Sequence, residues 1–476
     1  MRRCHGFCEG GPSTTVQQCY LSATVKFPAA WQFGVVLAGL WAHVPTARAD
    51  EWSLHVLLSG QLAATDNVFQ VPSNSPEGLP RESDVLFQLR PGGLLSYVTP
   101  RTTHEFTADL DGLAYARHRE AWSISGRAGW KGFFAISPRT EMLTGVGFGT
   151  GTLNTLVARS SDPTAALAPT GNSNFISADA GQQLSHQASR EVRITEHAKV
   201  QAVQTTDSSD RSNVSLEAAI GGGFDRAWRF DAFGFDLTGS FVSFSRGDGS
   251  NGDDRLENIR AAGQWRHDLS RRWTSIVDGG VVVVVPLSTG GKSVVVPIIG
   301  GQLAYAPQWG SAGISVSRSV IPNLFIAQNT VADTVSASVN MPLPWLSAER
   351  ARPKWSALGS IGVVRTQLID TDRGQLASSF DIFNADLALQ YAVSEASGLA
   401  MRYQFVRQTG NADSLTIIQG YARNTLLLSF THRFPSRQAA KFPVRSSLRV
   451  DRSDITPMGE EPGARGGPTP GAAAER

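Results

Sequence analysis

The chain has 476 residues, of which 41% are hydrophobic and 18% charged, and its formal net charge is +2. That is too apolar for a disordered chain and too nearly neutral for a protein whose main partner is nucleic acid. Past the N-terminus no run of about 18 or more apolar residues occurs, so no membrane-spanning helix is expected. The mean hydropathy of −0.13 does not separate a soluble chain from one whose strands average an apolar and a polar face.

Residues 33–44, FGVVLAGLWAHV, form a short apolar core behind Lys26, and Ala47-Arg48-Ala49 is a small-x-small site ahead of Asp50. Residues 1–49 therefore read as a cleaved secretory signal peptide. The segment ahead of the core, with Arg2 and Arg3, is long for a leader and leaves open a translation start downstream of Met1. Cys4, Cys8 and Cys19 all precede the cut, and the Cys4–Cys8 spacing has no further ligands nearby to complete a metal site.

From Trp52 the sequence alternates through Leu54, Val56 and Leu58 to Thr65-Asp66-Asn67, and a polar, Pro-rich stretch follows. Residues 84–117 then show the pattern most plainly. Val85, Phe87, Leu89, Gly93, Leu95 and Tyr97 alternate with Asp84, Gln88, Arg90 and Ser96. After a tight turn, Phe106, Ala108, Leu110 and Ala114 alternate with Glu105, Thr107, Asp109, Asp111 and Arg117. A period of two puts each set on its own face of a sheet. The strands are long enough, at a tilt of about 45°, to cross a bilayer. One face suits lipid and the other water, which is how a transmembrane barrel strand reads.

Further strands are expected near 121–134, 141–156, 175–189, 190–205, 213–224, 228–246, 255–269, 272–286, 293–306, 311–320, 329–341, 354–369, 380–393, 397–408 and 424–434. The fold class expected is therefore all-β: a transmembrane up-and-down antiparallel barrel of about 18 strands spanning residues 50–435. The turns Thr99-Pro100-Arg101-Thr102 and Ser137-Pro138-Arg139-Thr140 nearly repeat each other. Connections after odd strands are mostly long and polar, and those after even strands mostly short. Both termini then face the periplasm, with the long loops outside the cell. PLPWLSAERARP, residues 342–353, is an exception with no evident reason. Trp52, Trp228, Trp273, Trp309 and Trp355 lie near the starts of odd strands, where an aromatic belt meets the headgroups. The closing strand alternates Leu426, Leu428, Phe430 and Phe434 and resembles the signal read by the outer-membrane assembly machinery. Residues 436–476, rich in Pro, Gly, Ala and Arg, read as a disordered periplasmic tail.

Catalytic chemistry is not evident. HExxH, Walker and GxSxG motifs are missing, and His186, His197 and His432 sit on separate strands. Gly145, Gly147, Gly149 and Gly151 share one face of a strand, where they relieve crowding or allow close backbone approach. The GDGSNGDD loop has oxygen ligands but not the spacing of a calcium loop. No enzyme activity, cofactor or metal is expected. The informative set is the inward face: Arg90, Glu105, Asp109, Asp111, Arg193, Lys199, Arg260, Arg266, Asp386, Gln390, Arg402 and Gln404. About eighteen strands leave an aqueous lumen unless a plug fills it, and no plug domain precedes the first strand, so a water-filled channel is expected. Mixed charge suits a neutral or weakly charged hydrophilic solute; equally, the charges pair with one another and serve stability.

The run Ala64-Thr65-Asp66-Asn67-Val68-Phe69, followed by Asp84-Val85-Leu86-Phe87 and Arg90-Pro91-Gly92, is similar to the start of outer-membrane barrels associated with exopolysaccharide and exosortase systems of Gram-negative bacteria. The resemblance covers roughly residues 54–115. It implies a porin-like barrel of the outer membrane through which a secreted polysaccharide crosses, working with a periplasmic export complex and seated among outer-membrane lipid and lipopolysaccharide. A general or sugar-specific diffusion porin and a lipid-modifying barrel enzyme are the alternatives.

Overall fold

The computed structural model describes residues 51–68, 82–152, 174–206, 212–245, 254–288, 290–307, 310–324, 328–346, 354–410 and 420–434. The expected leader and tail, the GDGSNGDD loop and Trp309 lie outside these residues. Eighteen strands run in chain order: β1 (Glu51–Thr65), β2 (Asp84–Val98), β3 (Thr102–Tyr115), β4 (Ser123–Ser137), β5 (Thr140–Thr152), β6 (Asn174–Gln187), β7 (Val192–Thr206), β8 (Ser212–Ala227), β9 (Asp231–Ser245), β10 (Asp254–His267), β11 (Trp273–Pro286), β12 (Val294–Tyr305), β13 (Ser311–Asn323), β14 (Gln328–Pro342), β15 (Trp355–Asp370), β16 (Gln375–Ala392), β17 (Ser397–Gly410) and β18 (Tyr421–Phe434). Each pairs antiparallel with the next, and β18 pairs with β1 from Val56 opposite Phe434 to Thr65 opposite Thr425. The ring is closed, so every strand has a paired neighbour on both sides.

Alternation decides which side chain faces where. On β2, Val85, Phe87 and Leu89 are 45%, 51% and 42% exposed, whereas Asp84 and Gln88 are buried. The apolar set therefore faces out, and the only solvent that suits a continuous apolar exterior is lipid. A closed barrel with that exterior is a protein of the bacterial outer membrane.

The edges of the apolar band are marked by side chains. At the short-turn rim Trp52, Trp273 and Trp355 stand directly opposite Tyr97, Tyr305 and Tyr391 on the neighbouring strand. Their ring centroids are 4.3, 4.4 and 4.6 Å apart. Ten residues further along both strands from Trp355 and Tyr391, Arg365 faces Asp381 at 3.3 Å on the same outer face. Arg318 and Asp333 continue that charged row, with Asp333 opposite Arg365 and 3.6 Å from Arg318. Ten residues at a rise of about 3.3 Å and a tilt of about 45° span about 23 Å, close to the height of an outer-membrane apolar band. The aromatic pairs and the charged row thus bracket the hydrocarbon.

The lumen is not wet along its whole height, contrary to the expectation of a continuous water-filled channel. Towards the short-turn rim the inward-facing Gln264, Gln302 and Gln390 are exposed. Towards the long-connection rim the inward face is buried, with two apolar clusters beside buried polar residues such as Asp111, Glu217, Asn258 and Arg423. One cluster joins Phe175, Val203, Val242, Phe244, Leu256, Val282, Val284, Val294, Val296 and Ile298 of β6 to β12, and a second joins Val364, Leu368, Phe380, Ile382, Val406 and Tyr421 of β15 to β18.

Between those two walls lies the end of the β13–β14 hairpin. Leu324 and Val331 pack into the first cluster, with Val320 against it. Ala332 belongs to the second, with Ile321 against it. Asn329, Thr330, Val331 and Ala332 are all buried, at 2%, 1%, 0% and 4% exposure, so both faces of the strand are covered there. β13 pairs with β12 only from Ala312 opposite Tyr305 to Arg318 opposite Ile299. Beyond that β13 parts from β12 and packs inward, while β14 stays paired with β15 as far as Thr330 opposite Leu368. Among the described residues, the barrel's own strand pair fills this part of the lumen. β13 also runs past residue 320, through Pro322, because its β12-side edge carries no ladder there and a missing N–H costs nothing.

Candidate functional site

The inward face is built by the same alternation that makes the outside apolar, and all twelve polar residues picked out in the sequence lie on it. They do not converge on one point. They are spread around the cylinder, most of them in short-range pairs that join strands one or two apart. Arg90 Nη2 lies 3.1 Å from Asp109 Oδ2 between β2 and β3, and next to it Gln88 Nε2 donates to Asp111 Oδ2 at 2.6 Å. Glu105 stands opposite Lys131 of β4. Arg193 of β7 reaches over β6 to Glu141 of β5 at 3.0 Å, and Lys199 meets Glu217 of β8 at 3.1 Å.

On the far side of the ring Arg260 lies 3.5 Å from Asp236, and Arg266 pairs with Asp268 at 3.1 Å. Asp386 accepts from Arg402 Nε and stands opposite Gln404, while Gln390 stands opposite Ala400 and is exposed. Arg90, Arg193, Lys199, Arg260, Arg266 and Arg402 each have a carboxylate within reach, so these cations face the lumen as local dipoles rather than as isolated charges. Exposed pairs of this kind add about 0–1 kcal/mol each to stability.

The partners Glu141, Glu217 and Asp236 were missed in the sequence. Strand parity puts them inward as readily as the residues that were chosen, but it does not say which charge meets which. The apolar upper half had a signal that was legible. Val281–Val285 and Val294–Val296 are runs without alternation, and a strand apolar on both faces is covered on both faces. The glycines of β5 prove to relieve crowding: a Cβ at Gly147 would collide with the Asp179 carboxylate, and one at Gly151 with Ser125. Among the described residues no group of three or more His, Cys, Asp or Glu side chains is arranged to hold a metal ion.

At the long-connection rim two further contacts bear on passage. Asn329 Nδ2 donates to Asn258 Oδ1 at 3.0 Å, tying the hairpin to β10. The backbone N–H of Lys292, between β11 and β12, donates to the carbonyl of Thr371, between β15 and β16, at 2.7 Å. The connections on either side of the hairpin therefore bond to each other, which leaves β13 and β14 inside that part of the rim.

No protein-family model matches the sequence, and no curated protein does. Among solved structures, OccAB3 of Acinetobacter baumannii is 11% identical, with a TM-score of 0.43 over 81% of this chain and 100% of that one. The outer membrane protein OpdK of Pseudomonas aeruginosa is 9% identical, with a TM-score of 0.41 over 80% and 99%. The siderophore receptor PirA of the same species is 8% identical, with a TM-score of 0.41 over 79% and 80%. All three are similar only in being barrels, and likeness at this level does not bear on what this chain carries.

Proposed function

We propose that this protein is an outer-membrane channel for a hydrophilic, hydroxyl-rich polymer, a secreted exopolysaccharide being the first candidate. The observation that carries this reading is the division of the lumen. Its wet half, with exposed Gln264, Gln302 and Gln390 and internally paired charges, opens at the short-turn rim. Short turns face the periplasm in barrels of this kind. A neutral polymer rich in hydroxyl groups finds amide donors and acceptors there, and cations already paired with carboxylates. The packed outer half suits a passage opened on demand better than a standing diffusion pore. A periplasmic export complex would deliver the polymer, and lipopolysaccharide would surround the barrel's outer leaflet.

The test is deletion of the gene in its own host. Loss of surface polymer with small-solute uptake unchanged is the expected result. Intact polymer with reduced sugar uptake would instead identify a diffusion porin. Labelling of the purified barrel by a serine-reactive probe, together with hydrolysis of lipid, would move it to the enzymes.

A further inference from the structure

We infer that the β13–β14 hairpin is a gate that swings between the lumen and the barrel wall. In its inward position the hairpin fills the space between the β6–β12 and β15–β18 walls. It is held there by the Asn329–Asn258 hydrogen bond and roofed by the Lys292–Thr371 bond. Its outward position is already specified by the sheet. The β12–β13 ladder stops at Ile299 opposite Arg318, yet β12 continues to Val294 and β13 to Asn323. Continuing the same antiparallel register would set Val296 opposite Ile321 and Val294 opposite Asn323, returning the hairpin to the perimeter. The Lys292–Thr371 bond must then break, because two strands would stand between its partners.

The free edges explain why the hairpin rests inside. Pro297 of β12 and Pro322 of β13 each lack an N–H. In the continued register Pro297 would face Val320 and Pro322 would face Val295, so the outward ladder is short of donors at both sites. The seam lies beyond the Arg318–Asp333–Arg365 row that bounds the hydrocarbon, where water can satisfy backbone groups left unpaired, and the inward position adds apolar packing. Closure thus has a cause in the sequence and needs no ligand.

The inference rests on the channel reading, but its test reads ionic current and is indifferent to cargo, so the two fail separately. Residues 51–434 contain no cysteine. In the full chain in planar bilayers, Asn258→Cys with Asn329→Cys is to be bridged by a short bis-methanethiosulfonate reagent that reductant cleaves. Bridging should abolish openings and reductant should restore them. Val296→Cys with Ile321→Cys, bridged the same way, should hold the pore open. Pro297→Val with Pro322→Val should raise the open fraction by about tenfold, since two ladder donors are restored. Heat-dependent migration on gels verifies that each variant is a folded barrel. Openings that persist across the bridged 258–329 pair, or a 296–321 pair that cannot be bridged while the proline variant gates like the wild type, would overturn the gate. So would a folded barrel that carries no current in any variant.

Discussion

Asn329 donates a hydrogen bond to Asn258 across three intervening strands, a polar tie between the end of the β13–β14 hairpin and the opposite wall beside the apolar packing of Leu324 and Val331. Both asparagines are buried, at 2% and 7% exposure. Asn329→Leu removes the donor to the buried Asn258 Oδ1, a loss of about 1–3 kcal/mol, while Asn258 Nδ2 keeps its bond to Ser240. Hydrogen exchange should quicken in residues 319–324 and 328–332 while β1 to β9 keep their protection. Equal protection throughout would show that apolar packing alone holds the hairpin.

Six cations of the lumen wall each pair with a carboxylate. Arg402→Met takes the cation from beside Asp386 and leaves a carboxylate facing the wet half. The reversal potential under a salt gradient should shift towards cation preference. Asp386→Asn should shift it the other way, and no shift in either would place this pair off the conducting path.

The Trp355–Tyr391 pair fixes the level of the short-turn rim in the headgroups, with centroids 4.6 Å apart. Trp355→Ala should lower stability in liposomes by about 0.5–1.5 kcal/mol beyond the lost area, the usual value of such ring pairs. Denaturant unfolding measures this, and single-channel conductance should be unaffected.

Above β2 and β3, outside the membrane band, His118 is clamped between two carboxylates. Its Nδ1 lies 2.9 Å from Asp84, and its Nε2 hydrogen-bonds to Glu82. The Asp84 hydrogen bond first, with Glu82 adding to it, holds the imidazolium above its ordinary value of 6.5 against the opposing effect of burial. A raised folded value means the clamp's stabilisation is complete below the ordinary histidine range and is lost as pH rises through the folded value. Protease cleavage of the β3–β4 connection should therefore increase from pH 5 to pH 8. His118→Gln should flatten that profile.

The strand count, the address in the outer membrane and the face of each strand were legible in the chain because they depend on a period of two and on turn residues, both of which are local. Val85 and Phe87 face lipid for the same reason that Asp84 and Gln88 do not. The identity of the inward residues followed, but not their pairing: Arg193 meets Glu141 two strands away because of the barrel's stagger, which no window along the chain contains. The five valines at 281–285 announced a strand covered on both sides without saying by what. Only the closed ring supplies the answer. Eighteen strands enclose more space than their side chains fill, and the prolines at 297 and 322 leave one seam without a complete ladder. The hairpin beside that seam can bury its apolar faces only by folding into the space, so the dry half of the lumen is a property of the assembled cylinder.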